Sequence, residues 1–192
     1  LVINGEYRGD YLLIETVERE KGRIDIDKTG YLIEDDAYWW NEDVYFKSDM
    51  LYPQVGYTFK YPEAEDLNDS IIGNIKDFVF EFEEALEEHA DISQYIDITS
   101  WAAWLLAQDI LSQNDSGGTN RYIYKKDYVP EDPYRTKLLM GPLWDFDASL
   151  GATDSWAAIH NRSYSFYYNR LLQRDDFSSC YTSQWEVISE TL

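Results

Sequence analysis

The amino-acid sequence predicts an α+β protein, a mixed or antiparallel sheet in the N-terminal third followed by a mainly helical part, and three observations predict it. Residues 1–63 hold short runs of β-favouring residues broken by Gly, Asn and Pro. From residue 70 the apolar period changes to that of a helix. The aromatic share is 17%, far above what a disordered chain carries, although 28% of residues are charged. With 192 residues the chain suits one domain with one sizeable core. We therefore expect a single domain over residues 1–192, with a sheet-rich part at 1–63 and a mainly helical part at 64–192.

Residues 2–15 read as a hairpin around the turn Asn4-Gly5, its second arm running from Tyr7 to Ile14. Residues 23–27 alternate polar and apolar and residues 29–35 carry Tyr31-Leu32-Ile33, so both are predicted strands. Two more are predicted at 44–47 and 57–61, the latter stopped by Pro62. Ile71, Ile75, Phe78, Val79, Phe82 and Leu86 then fall on one helical face, with Asp69 or Ser70 as the expected cap. The acidic residues of this helix, Glu81 to Glu88, read as a solvated face rather than a cation site.

A second helix is expected from Thr99 or Ser100 through Trp101, Trp104 and Leu105, ending in the polar segment 112–118. Strands are expected at 121–125 and 137–143, and helices at 165–173 and 178–190. The first residues look like a strand already under way without an initiator Met, so the sequence reads as a fragment lacking an N-terminal part.

The net charge of −21 disfavours nucleic acid, whose phosphates it would repel, and favours a basic, Lys/Arg-rich protein partner or a metal-neutralised anion. One cysteine, Cys180, allows neither an intrachain disulfide nor a cysteine-based zinc site. No run approaches the roughly 18 apolar residues of a membrane span, so membrane insertion is not expected.

The chemistry concentrates between Asn114 and Asp147. Asp115 and Asn120 stand at the spacing D-x-x-x-x-N, which places a carboxylate and an amide on one short loop after a helix. Gly141-Pro142-Leu143-Trp144-Asp145-Phe146-Asp147 follows, delivering Asp145 beside Asp115 with Asp147 two residues on. Such oxygen donors suit a hard divalent cation, which spreads charge off a transferring phosphoryl group. A carboxylate flanked by Trp144 and Phe146 is also costly to bury unless paired or ligating. A competing reading makes Asp145 and Asp147 the carboxylate pair of a glycosidase, with Trp and Tyr side chains as sugar platforms. His89 and His160 show no metal-ligand spacing, and the chain has no G-x-S-x-G and no glycine-rich phosphate loop.

Taken in order, the blocks from Asn4 to Glu15 (N-G-E-Y-R-G-D-Y-L-L-I-E), Phe59-Lys60-Tyr61-Pro62-Glu63, Asn114-Asp115 with Asn120, and Gly141 to Asp147 with Gly151 resemble the CotH family of spore-coat-type atypical protein kinases. The resemblance runs on through Tyr168-Asn169-Arg170-Leu171-Leu172. It implies a divergent, two-lobed protein-kinase-like fold that uses ATP and Mg²⁺ or Mn²⁺ to phosphorylate Ser in basic coat proteins, at an extracellular, cell-surface or spore-surface location. Carried over by position, Asp115 resembles the catalytic Asp, while Asn120, Asp145 and Asp147 resemble metal ligands. Glu15 and Lys60 fall in blocks that resemble the nucleotide-binding side. Leu139 stands where the family has an adenine-stacking aromatic, for which Tyr122, Tyr124 or Trp144 can substitute. The family also implies an alternative, a non-catalytic surface adhesion or carbohydrate-associated module on the same scaffold.

Overall fold

The structure is a computed structural model, and it describes residues 1–11, 14–51, 56–113, 119–149 and 166–190. Its architecture is α+β, with two antiparallel sheets and helices packed on one face of the larger. β1 (Val2–Ile3) and β2 (Glu6–Tyr7) form the predicted hairpin, whose turn places Asn4 at φ 52° and Gly5 at φ 82°. That conformation is the one Asn-Gly supplies at low cost. The second arm stops at Tyr7 rather than running to Ile14, and residues 23–27 contribute only an isolated bridge, Glu20 to Ile24, instead of a strand.

The main sheet consists of β3 (Tyr31–Asp36), β4 (Tyr45–Phe46), β5 (Gly56–Tyr61), β6 (Arg121–Lys125) and β7 (Leu138–Met140), all antiparallel, in the order β4-β5-β3-β6-β7. β3 is thus paired on both sides, which explains why all six of its residues are buried, Glu34, Asp35 and Asp36 included. Alternation sends Tyr31 and Ile33 to the helix-covered face with Ile123 and Leu138, and Leu32, Glu34 and Asp36 to the other. Leu32 opposes Tyr61 while Ile33 opposes Phe59, so Lys60 is the extra residue of a β-bulge. Alternation puts Lys60 on the side of Glu34, and the bulge turns Tyr61 to that side as well, where it packs against the cluster of Ile24, Ile26 and Leu32.

α1 (Asp69–Glu87) buries Ile75, Phe78, Val79, Phe82 and Leu86 against the sheet, the stripe expected from its period. Its cap is Asn68, one residue before the predicted position, whose side chain accepts from Ser70 and Ile71 N–H at 3.0 and 3.1 Å. α2 (Ile98–Ile110) is capped by Asp97 through Ser100 N–H at 2.7 Å. It is stitched to β7 by Trp101 Nε1 donating to Leu138 O at 3.1 Å. α3 (Phe166–Leu171) and α4 (Asp175–Ser189) close the structure, α4 lying along α2. Among the described residues no helix is long and apolar enough to cross a membrane.

A buried polar knot ties these layers together. The Glu83 carboxylate, 1% exposed on α1, accepts from Tyr57 at 3.0 Å, from Tyr167 at 2.6 Å and from Ser48. Burial raises the Glu83 pKa above the ordinary carboxyl range, with these hydrogen bonds opposing the shift. Raised in the folded state, the group contributes its full stability below the ordinary range and loses it as pH rises through the folded value. Glu83→Gln keeps an oxygen that accepts from both tyrosines and cannot ionise. Its Tm advantage over the native chain is therefore expected to widen from about pH 5 to about pH 8, followed by thermal melts across that range. A constant difference would deny the charge of Glu83 that role.

Candidate functional site

The site lies on the sheet face away from the helices. Glu34 is the centre of it: one strand over on β5, Lys60 Nζ sits 3.1 Å from its carboxylate, and on β6 Tyr122 is the residue directly opposite it. Asp36, two residues along β3, shares the face and holds Thr58 Oγ1 at 3.3 Å. Burial raises the Glu34 pKa most, with Asp36 adding to the shift, while the Lys60 charge and the Tyr122 hydrogen bond pull it back. Tyr122 itself is raised by burial and then by Glu34, Asp36 and Asp145. Trp144 packs against the cluster that holds Leu32 and Tyr122, which brings the loop after β7 to the same face as the Lys60–Glu34 pair.

Backbone conformation shows how that loop is held. Gly141 N–H bonds to Tyr122 O at 2.8 Å, and Gly141 has φ 125° where the strand ends at a cis bond to Pro142. Asp145 then adopts φ 54°, and Asn120, just before β6, adopts φ 57°. Left-handed backbone is uncommon outside glycine and several-fold enriched in Asn and Asp. Two of the three predicted ligand positions, Asn120 and Asp145, use it. Gln113, buried at the exit of α2, donates from its side-chain amide to Asp145 O. Gln113 is thereby tied to the Trp144-Asp145-Phe146-Asp147 segment, and Asn120 stands directly before β6.

The predicted residues are distributed as follows. Asp115 lies outside the described residues. Asn120 is half-buried, and Asp145 and Asp147 are exposed. Exposure of Asp145 removes the argument from its burial between Trp144 and Phe146: the neighbouring rings do not enclose it, and its left-handed backbone is what singles it out. Lys60 faces the site, but its carboxylate partner is Glu34, which the sequence reading missed because nothing in a single strand tells which strand lies beside it. Glu15 pairs with Arg23 at 2.8 Å, and Arg23 in turn lies over the Trp144 ring at 5.9 Å, so Glu15 borders the site through that chain. Tyr122 is 5% exposed, which takes it off the list of open stacking surfaces and leaves the half-buried Tyr124 and Trp144.

For a divalent cation the donor set is chemically apt. Asn120, Asp145 and Asp147 offer oxygen alone, and Mg²⁺ is held by one or two carboxylates plus phosphates and water rather than by an all-protein cage. Among the described residues no group of three acidic, His or Cys side chains forms such a cage. A cavity of about 210 Å³ lined by Lys28, Tyr31, Pro62, Ile71 and Tyr128 lies on the α1 side of the sheet and shares no residue with this cluster.

Among curated proteins none matches the chain. The family model described as CotH kinase protein matches residues 1–192, its whole length, and the chain therefore belongs to that family.

Proposed function

We propose that this chain is a metal-dependent phosphotransferase that moves the γ-phosphoryl group of ATP to a Ser hydroxyl of a basic surface or spore-coat protein, outside the cell or at its surface. The family supports a kinase-like role. The observation that carries the finer reading is the convergence of the Lys60–Glu34 pair, Tyr122 and Trp144, the residue before Asp145, on one sheet face. A lysine steadied by a carboxylate, here on the neighbouring strand, then serves the phosphates, and the Asp after a short strand is the one that would ligate the metal. On this reading residues 1–63 supply the nucleotide side and residues 64–192 the catalytic loop.

The roles follow from charge and reach. Lys60, oriented by Glu34, neutralises phosphate oxygens, and the rim formed by Glu15, Arg23 and Trp144 flanks the nucleotide. Asp115 orients the acceptor hydroxyl and takes its proton as the Ser oxygen bonds to phosphorus and the bond to the β-phosphate oxygen breaks. Asn120, Asp145 and Asp147 are the side chains that would hold Mg²⁺ or Mn²⁺. When bound, the ion supplies charge neutralisation for the transferring group.

The test is transfer of labelled γ-phosphate to a Lys/Arg-rich, Ser-bearing protein, with and without Mg²⁺, beside calorimetric titration of ATP. Asp115→Asn is expected to remove transfer while leaving ATP binding in place. Lys60→Met should lower kcat by about 10²-fold, as expected for losing one preorganised charge at developing negative charge. Glu34→Gln should cost less, because it frees the lysine without deleting it. ATP that fails to bind the native protein with either metal would end the proposal.

A further inference from the structure

We propose that the exposed aromatic turn at the far end of β3 is a docking platform for a Lys/Arg-rich segment of the acceptor protein, in line with the catalytic face. Chain geometry builds the platform rigidly. Asp36 Oδ1 accepts Tyr38 N–H at 2.7 Å, which closes the turn directly behind the site carboxylates. Trp39 then packs on Gly56 of β5, so tightly that a Cβ there would meet the indole at 2.8 Å. With Trp39 anchored, its neighbours are forced outward: Tyr38 is 60% exposed and Trp40 57%, their rings edge to face at 5.6 Å. Large aromatic rings fixed open to solvent and supported from behind are the usual make-up of a binding anchor.

The chemistry of the occupant follows from what surrounds the rings. Glu42 and Asp43 are exposed on the same turn, Asp36 lies at its root, and the chain carries 37 acidic against 16 basic residues. Cations are thus drawn to this end of the sheet, and their preferred seat is a tryptophan face. The molecule already shows the contact in its own chain, where Lys47 Nζ lies 4.5 Å above the Trp39 ring. A second copy of the chain is disfavoured as occupant, since two bodies of net charge −21 repel. A basic segment seated here leads along β3 toward Asp36 and Glu34, which would bring a Ser carried by the same segment to the catalytic face.

The link to transfer rests on the phosphotransferase reading; the binding itself does not, and the experiment separates them. A synthetic Lys/Arg-rich, Ser-bearing peptide is titrated into the full chain without ATP, and its KM and kcat are then measured with ATP and Mg²⁺. Trp40→Ala, a change at an exposed position, is expected to weaken peptide binding about 3- to 10-fold, and Tyr38→Ala/Trp40→Ala by more, with Trp40→Phe recovering part of it. KM should rise with Kd while kcat holds. Weakened binding in Trp40→Ala from a native chain that shows no transfer would sustain the platform and remove the kinase reading instead. Unchanged peptide affinity in the double variant overturns the proposal. So does loss of affinity for a neutral hexasaccharide with peptide binding intact, which would make the rings a sugar platform.

Discussion

Asp145→Asn is expected to lower kcat for phosphoryl transfer by about 10³-fold, at the upper end of what removal of one electrostatic contact costs. The substitution is informative because it isolates charge. Asp145 is exposed and sits at φ 54°, a backbone conformation that Asn tolerates as well as Asp. Its carbonyl, which holds Gln113, is untouched by the change. Stability should therefore move by no more than about 0.5 kcal/mol, leaving Tm within roughly 2 °C of the native value. Steady-state kinetics with ATP and Mg²⁺, run beside a thermal melt, decide the matter. Undiminished turnover would mean that the carboxylate holds no metal in the reaction.

The second large effect concerns the pair beneath the site. Arg121 and Asp35 are directly opposite residues of β6 and β3, 3% and 0% exposed, and form an ion pair on the helix-covered face with Arg121 over the Tyr167 ring at 5.4 Å. Burial lowers the Arg121 pKa, a sign of how poorly its charge is solvated there. Arg121→Met leaves Asp35 charged and alone in the core. The expected cost is about 3–5 kcal/mol, or a Tm lower by roughly 6–20 °C for a chain of this size. Asp35→Leu/Arg121→Met should regain most of it, since the pair's net worth is much smaller than the cost of breaking it. Because Arg121 follows Asn120 directly, the single variant should also loosen that ligand position and raise the metal concentration needed for half-maximal activity. Urea denaturation of the native chain and the two variants checks the stability order; a single variant within about 1 kcal/mol of native would contradict it.

What could be read beforehand was whatever depends on local sequence. The apolar stripe of α1 is a one-dimensional signal, and so is the Asn-Gly turn between β1 and β2; both are found as expected. Asn120 and Asp145 were legible as oxygen donors at motif spacings, whereas the left-handed backbone that both adopt was not read from the sequence. Residues 23–27 misled because Ile24 and Ile26 are buried as a strand's would be, yet they cover the lower sheet face without joining a ladder. Glu34 was missed for a deeper reason. Three consecutive acidic residues look like a solvated edge until β5 and β6 are seen to flank them, and that pairing joins segments about ninety residues apart. Lys60 lies on the Glu34 face because it stands two residues beyond Thr58, the partner of Glu34, a register that the sequence of one strand does not show.

The central position of β3 also governs the order in which the molecule can assemble. Its partner on one side, β5, follows within thirty residues, whereas Tyr31 waits for Lys125 on the other. During synthesis, with roughly 5–20 residues added per second, an acidic strand with one open edge persists for several seconds before its far neighbour emerges. The helices α1 and α2 are made in that interval and can shelter the apolar face meanwhile. Three carboxylates in a row on the waiting strand discourage it from pairing with another nascent chain, so the residues that later frame the site first protect the chain from aggregation.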